Sequence, residues 1–195
     1  MYNGSVRFQA GHAEGKVLMQ FEIKECGSDQ FCRDAVNVLF SFRSIIKKHD
    51  QRIIDWFRRT RTNLIISLIL LGLFVLSFCV GGYKILINVL AFTLLVITTL
   101  FNLFVFISVR RVYKDLNSDS RRGVLELDES GIEFRTEDGN VKRNSWTDVA
   151  VVRIHGDCMA FIPSSTKKTV FLVHKRLKDD ISGWLKENRP EIEII

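Results

Sequence analysis

The sequence predicts a membrane α-helical hairpin plus an α+β cytoplasmic domain. The domain is expected to be a small antiparallel β-sheet or barrel closed by a C-terminal helix. Three observations carry this. Residues 63–80 and 85–109 are long apolar runs parted only by Gly81-Gly82-Tyr83-Lys84. Neither run contains Asp, Glu, Lys or Arg. Beyond residue 123 the apolar spacing becomes period two, broken by turn residues, and ends in a helical pattern around Ile181 and Trp184.

The hairpin follows from length. A hydrocarbon core of roughly 30 Å takes about 20 apolar residues as a helix. At ~1.5 Å per residue, the first run extends about 27 Å and the second about 37 Å. A soluble chain of this size has too few other residues to wrap two helices that are apolar on every face. The position of the first run, and the second following so closely, exclude a cleavable signal peptide.

The expected divisions are 1–27 for N-terminal cytoplasmic strands, 28–62 for a cytoplasmic and juxtamembrane helix, and 63–109 for the hairpin. A linker at 110–122 and the cytoplasmic domain at 123–195 follow. Residues 6–9 suggest a short strand, and 17–24 alternate as a strand with Val17, Met19, Phe21 and Ile23 on one face. Ser28 or Asp29 can cap a helix. Its apolar positions are Phe31, Ala35, Val38, Leu39, Phe42, Ile45 and Ile46, and the pattern weakens near Lys48 to Asp50. Residues 50–62 fit either an interfacial helix or an extension of the first span.

After the second run, 110–116 continue its helix. Segments 124–127, 132–135 and 141–146 are strands around turns at Asp128-Glu129-Ser130-Gly131 and Glu137-Asp138-Gly139. Segments 149–154, 159–162 and 169–174 complete about six strands, and Leu177, Ile181, Trp184 and Leu185 mark the closing helix with Trp184 as its plug.

Charge sets the orientation. The formal net charge is +6. Residues 1–62 carry 11 basic against 7 acidic groups, and residues 110–195 carry 16 against 15, so the surplus lies before and beside the membrane. That favours insertion topology and anionic lipid over nucleic acid as a partner. Trp56, Arg58, Arg59, Arg61, Arg110 and Arg111 flank the runs on one side, with Tyr83 on the other. Basic residues stay cytoplasmic, so both termini are expected inside, at the cell membrane or Gram-negative inner membrane, as two spans.

On the second span Asn88, Ala91, Leu95, Thr98 and Asn102 fall at steps of three and four. Small and polar groups on one face favour a neighbouring helix, with Ser67 and Ser77 as candidate partners or a second copy as a homo-oligomer. Arg121, Arg122, Lys167, Lys168, Lys175 and Arg176 are candidate contacts for anionic headgroups.

No chemistry-bearing motif emerges. His12, His49, His155 and His174 are scattered, and Cys26, Cys32, Cys79 and Cys158 form no CxxC pair or Cys/His cluster. No cofactor, metal or catalytic residue is expected.

The order of these features is similar to the YcxB-like family, bacterial two-span membrane proteins with a pleckstrin-homology (PH)-like cytoplasmic domain. It rests on the strand at 17–24 before a helix opening at Ser28-Asp29, the tight hairpin, Leu127-Asp128-Glu129-Ser130-Gly131-Ile132, and Trp146-Thr147-Asp148-Val149. Phe171-Leu172-Val173-His174-Lys175-Arg176 matches a last strand, with His174 where the family more often has proline. The resemblance implies a PH-like fold and a membrane location, and brings no catalytic residues. The functional expectation is a non-enzymatic protein binding a protein partner at the inner membrane face. The alternative is an immunity or inhibitor protein against a membrane-targeting toxin.

Overall fold

The computed structural model describes residues 19–23, 28–48, 53–80, 85–117 and 123–195. They fall in two compact units. One is assembled from both ends of the chain, Met1–Ile53 with Tyr113–Ile195, and the other is Ile54–Val112. The expected strand at 6–9, the interhelical turn and the linker residues 118–122 lie outside the described residues.

The helical unit holds α2 (Trp56–Val80) and most of α3 (Ile85–Asn117). Asp55 starts α2: its Oδ1 accepts the Arg58 N–H at 3.1 Å, satisfying a donor that a helix start otherwise leaves open. Because α2 runs unbroken from Trp56, residues 56–62 extend the first span. Both helices are long and apolar enough to cross a membrane. Leu and Ile side chains stand exposed along both, among them Ile69, Leu76, Leu94 and Leu100.

Among the described residues the mixed unit contains α1 (Asp29–Lys48), α4 (Lys178–Asn188) and seven strands. The strands are β1 (Met19–Ile23), β2 (Gly123–Leu127), β3 (Gly131–Thr136), β4 (Val141–Ser145), β5 (Val149–His155), β6 (Cys158–Pro163) and β7 (Phe171–His174). Ser28 caps α1, its Oγ accepting the Phe31 N–H at 3.1 Å. The helix ends at Lys48, where the apolar spacing weakens.

The expectation of one PH-like sheet or barrel is corrected here. The strands form two separate antiparallel sheets, β1-β2-β3-β4 and β5-β6-β7, and neither closes into a barrel. The break lies at Trp146, expected to end a strand. Instead Trp146–Asp148 form one 3-10 turn, with Asp148 Oδ2 accepting the Ser145 N–H at 3.3 Å. That turn ends the ladder of the first sheet and redirects β5. A bulge between Val149 and Val151 leaves Ala150 exposed and lets Val149 and Val152 both face inward.

One core joins the two sheets and α4. It includes Phe21, Leu125, Leu127 and Ile132 from the first sheet, with Val152, Met159, Phe161 and Val173 from the second. Ile181, Trp184 and Leu185 enter from α4. Trp184 lies against Trp146 with ring centroids 5.6 Å apart, so the expected plug meets the residue at the sheet break. The opposite face of β6 is buried too (Cys158, Ala160 and Ile162), and α1 lies against β5 and β6. Alternation therefore gives β6 two buried faces, one on the core and one under α1.

The segment after α4 closes an edge. Val152 N–H donates to Glu193 O at 2.9 Å, Ile154 N–H to Ile195 O at 2.8 Å, and Ile195 N–H to Val152 O at 2.9 Å. This parallel pairing covers β5, whose edge would otherwise offer open donors and acceptors.

Candidate functional site

The helical unit carries most of the expected site residues. Phe74 of α2 and Phe92 of α3 stack with centroids 6.0 Å apart. Steps of seven residues, nearly two turns, lead from Phe74 to buried Ser67 and buried Thr60, and from Phe92 to buried Thr99 and half-buried Phe106. The two helices therefore run antiparallel along a seam of small hydroxyl residues. Each buried hydroxyl is satisfied inside its own helix. Thr60 Oγ1 donates to Trp56 O at 2.7 Å, Ser67 Oγ to Leu64 O at 3.0 Å, and Thr99 Oγ1 to Leu95 O at 2.8 Å. Where no water can serve, such back-bonding removes the cost of an open donor and leaves a small side chain for close packing.

Of the residues expected on one face of the second span, Asn88, Ala91, Leu95 and Asn102 are half-buried. Thr98 is exposed and its neighbour Thr99 is buried in its place. On α2, Ser67 is buried whereas Ser77 is exposed.

The same antiparallel register levels Thr60 with Phe106. It thereby gathers Arg58, Arg59 and Arg61 of α2 and Arg110 and Arg111 of α3 at one end of the pair. All five are exposed. The Arg59 guanidinium lies 5.5 Å from the Trp56 ring centroid, and that of Arg110 lies 4.7 Å from the Phe106 ring centroid. Tyr83, Arg121 and Arg122 lie outside the described residues.

In the mixed unit, Lys167, Lys168, Lys175 and Arg176 are exposed around β7. Lys168 is engaged, its Nζ 2.9 Å from Asp148 Oδ2. That contact is the main reason the Asp148 carboxyl is held below its ordinary range. The Arg176 backbone N–H donates to His174 Nδ1 at 3.2 Å, and His174 stacks on Phe31 with centroids 5.6 Å apart. His174 therefore helps hold α1 to β7.

Two polar centres organise the turns. Asp128 Oδ1 accepts the N–H groups of Ser130 at 2.7 Å and Gly131 at 2.8 Å, and the Ser130 hydroxyl. Arg143 meets its Oδ2 at 3.4 Å, and Trp146 Nε1 donates to its carbonyl at 2.7 Å. The second centre is Asp34, buried on α1, whose Oδ2 accepts the Asp157 N–H at 2.9 Å. Asp34 had no place in the apolar pattern. The available signal was its position three residues after Phe31 and four before Val38, on the side of α1 that faces the sheet. Among the described residues no group of three or more His, Cys, Asp or Glu side chains is placed to hold a metal ion.

No family model, curated protein or solved structure matches the chain.

Proposed function

We propose that this chain is a non-enzymatic integral membrane protein that crosses the membrane twice and presents its α/β unit at the cytoplasmic face to bind a protein partner. The carrying observation is the antiparallel pairing of β1 with β2, from Met19 opposite Leu127 to Ile23 opposite Gly123. Strand β1 precedes both apolar helices and β2 follows both. The pair forms only when the chain crosses and returns. Arginines at the ends nearest these flanks support the cytoplasmic side for both.

The binding role is supported by β4. It is an edge strand with Val141, Lys142 and Arg143 exposed, and among the described residues its outer edge pairs with no strand. An extended segment of a partner adds to such an edge through main-chain hydrogen bonds.

Paired cysteines and crosslinking test the two halves of this reading. Gln20 and Glu126 stand opposite one another, with Gln20 Nε2 donating to Glu126 Oε1 at 2.8 Å. The pair Q20C/E126C, in a chain freed of its other cysteines, is expected to form an intrachain disulfide. A cysteine at exposed Asp138 is expected to react with an impermeant thiol reagent only after the cells are opened. Labelling in intact cells overturns the orientation. Replacing residues 54–112 with an unrelated hairpin is expected to leave partners crosslinked in native membranes unchanged, and their loss overturns the adaptor role.

A further inference from the structure

We propose that the arginine collar of the helical pair is a binding site for the phosphate groups of anionic phospholipids. This rests on the membrane reading above, and it moves the headgroup site away from the lysines around β7. The collar consists of Arg58, Arg59, Arg61, Arg110 and Arg111.

In the mixed unit, four basic side chains stand beside carboxylates: Arg33 with Asp29, Arg135 with Glu133, Arg143 with Asp128 and Lys168 with Asp148. Among the described residues no collar arginine has a carboxylate within ion-pair distance. For the α2 arginines the nearest acid in sequence, Asp55, is occupied at Oδ1 by the N–H of Arg58. A guanidinium offers five donors in a planar fork that fits a phosphate with two parallel hydrogen bonds. Five such groups at one level need anions, and a leaflet surface supplies them.

Geometry adds two points. The antiparallel register places the five within about two turns, roughly 10 Å along the axis. Arg59 on Trp56 and Arg110 on Phe106 are steadied by ring faces, which lowers the side-chain entropy lost on binding. Past the collar the exposed surface turns apolar, with Ile65, Ile66, Leu103 and Phe104 available to acyl chains. A phosphate attached to hydrocarbon meets both surfaces, and free phosphate meets only one.

Positive flanks also set insertion topology, so the test reads retained lipid rather than orientation. The full chain, extracted in mild detergent, is mixed with phosphatidylglycerol or phosphatidylcholine and bound lipid is counted by native mass spectrometry. Phosphatidylglycerol is expected to be retained at least about fivefold over phosphatidylcholine, and R58Q/R59Q/R110Q/R111Q to cut its retention about tenfold or more. K167Q/K175Q/R176Q is expected to retain it fully. Should the fourfold variant fail to insert, R59Q/R110Q is read instead, with an expected loss of about fivefold. Equal retention of the two lipids, or an unchanged preference in the folded variant, overturns the site. Displacement of the lipid by millimolar inorganic phosphate assigns the collar to the free anion and overturns the lipid. Failure of the Q20C/E126C crosslink would strike the topology reading and leave this measurement standing.

Discussion

Asp34 on α1 receives the backbone N–H of Asp157 at 2.9 Å, across 123 residues of sequence. The same carboxylate is steadied by Gln30 Nε2, 3.1 Å from each oxygen. Gly156 lies against it in the β5–β6 turn at φ +55°, and a Cβ there would fall 2.0 Å from Asp34 Oδ2. Glycine is thus required twice, by its backbone angle and by the carboxylate beside it. Through this contact the segment preceding the apolar helices is fastened to the sheet that follows them.

Removing the carboxylate with Asp34→Ala is expected to destabilise the mixed unit by about 1–3 kcal/mol, the cost of a buried polar contact left unmade. Gly156→Ala is expected to cost at least about 2 kcal/mol through strain and collision. Combining the two should cost less than their sum, because the collision vanishes with the carboxylate while the backbone strain stays. Denaturant unfolding of the full chain in micelles, followed by tryptophan fluorescence, measures all three. Strict additivity would show that Gly156 and Asp34 do not constrain each other.

Acid should act through the turns. Partial burial pushes the Asp128 carboxyl up, but the Ser130 hydroxyl, the Ser130 and Gly131 N–H groups and Arg143 outweigh it and hold it below the ordinary range. Asp148 is also lowered, foremost by Lys168. A depressed folded-state value means that the stabilisation is complete above the unfolded carboxylate value of ~3.9 and is lost as pH falls through the lower folded value. Stability of the mixed unit is therefore expected to keep the full contribution of these two groups, without pH dependence, between about pH 7 and 5 and to lose it below about pH 4. D128N/D148N should flatten that acid limb, and an unchanged limb assigns it to other carboxylates.

The strand after α4 yields a local prediction. Deleting residues 191–195 takes away the acceptors for the N–H groups of Val152 and Ile154, the Ile195 N–H that donates to Val152 O, and the buried Ile192 side chain. A loss of about 3–6 kcal/mol is expected from three backbone hydrogen bonds and one aliphatic side chain. Hydrogen exchange should quicken at Val152 and Ile154 first, since those amides face the vacated edge. Uniform quickening across β5, β6 and β7 would mean that the segment supports the whole sheet rather than its edge.

Much of this architecture was legible in residue order. The end of α1 at Lys48 follows the loss of apolar spacing, and Asp-Gly at 138–139 marks a turn where Gly139 has φ +82°. Strand existence was legible because alternation survives in a half-buried sheet, as in Leu125 and Leu127. Sheet membership was not. It depends on one 3-10 turn at Trp146 and one bulge at Val149, neither of which changes the hydrophobic pattern enough to be read. The parallel partner of β5 has too few residues to show a period. In the hairpin Asn88, Ala91, Leu95 and Asn102 are all half-buried, yet Thr99 rather than Thr98 is buried between them, and two adjacent threonines inside one apolar run give the residue spacing nothing to choose by.

That exchange supplies the last prediction. Ser67 and Thr99 are buried in the seam between α2 and α3, and Ser77 and Thr98 are exposed. All four are small hydroxyl residues inside apolar runs, so composition does not distinguish them. Leucine at Ser67 or Thr99 adds volume at a buried position of the helical unit. It is expected to force the helices apart at about 1–3 kcal/mol each, the usual cost of overpacking. Leucine at Ser77 or Thr98 adds the same volume at an exposed position, where it meets no neighbouring helix, and should cost close to nothing. Thermal unfolding of the full chain in micelles, monitored by helicity, compares the four. Equal sensitivity at Thr98 and Thr99 would mean that both face protein, as they would if a second copy packed against the outer face of α3.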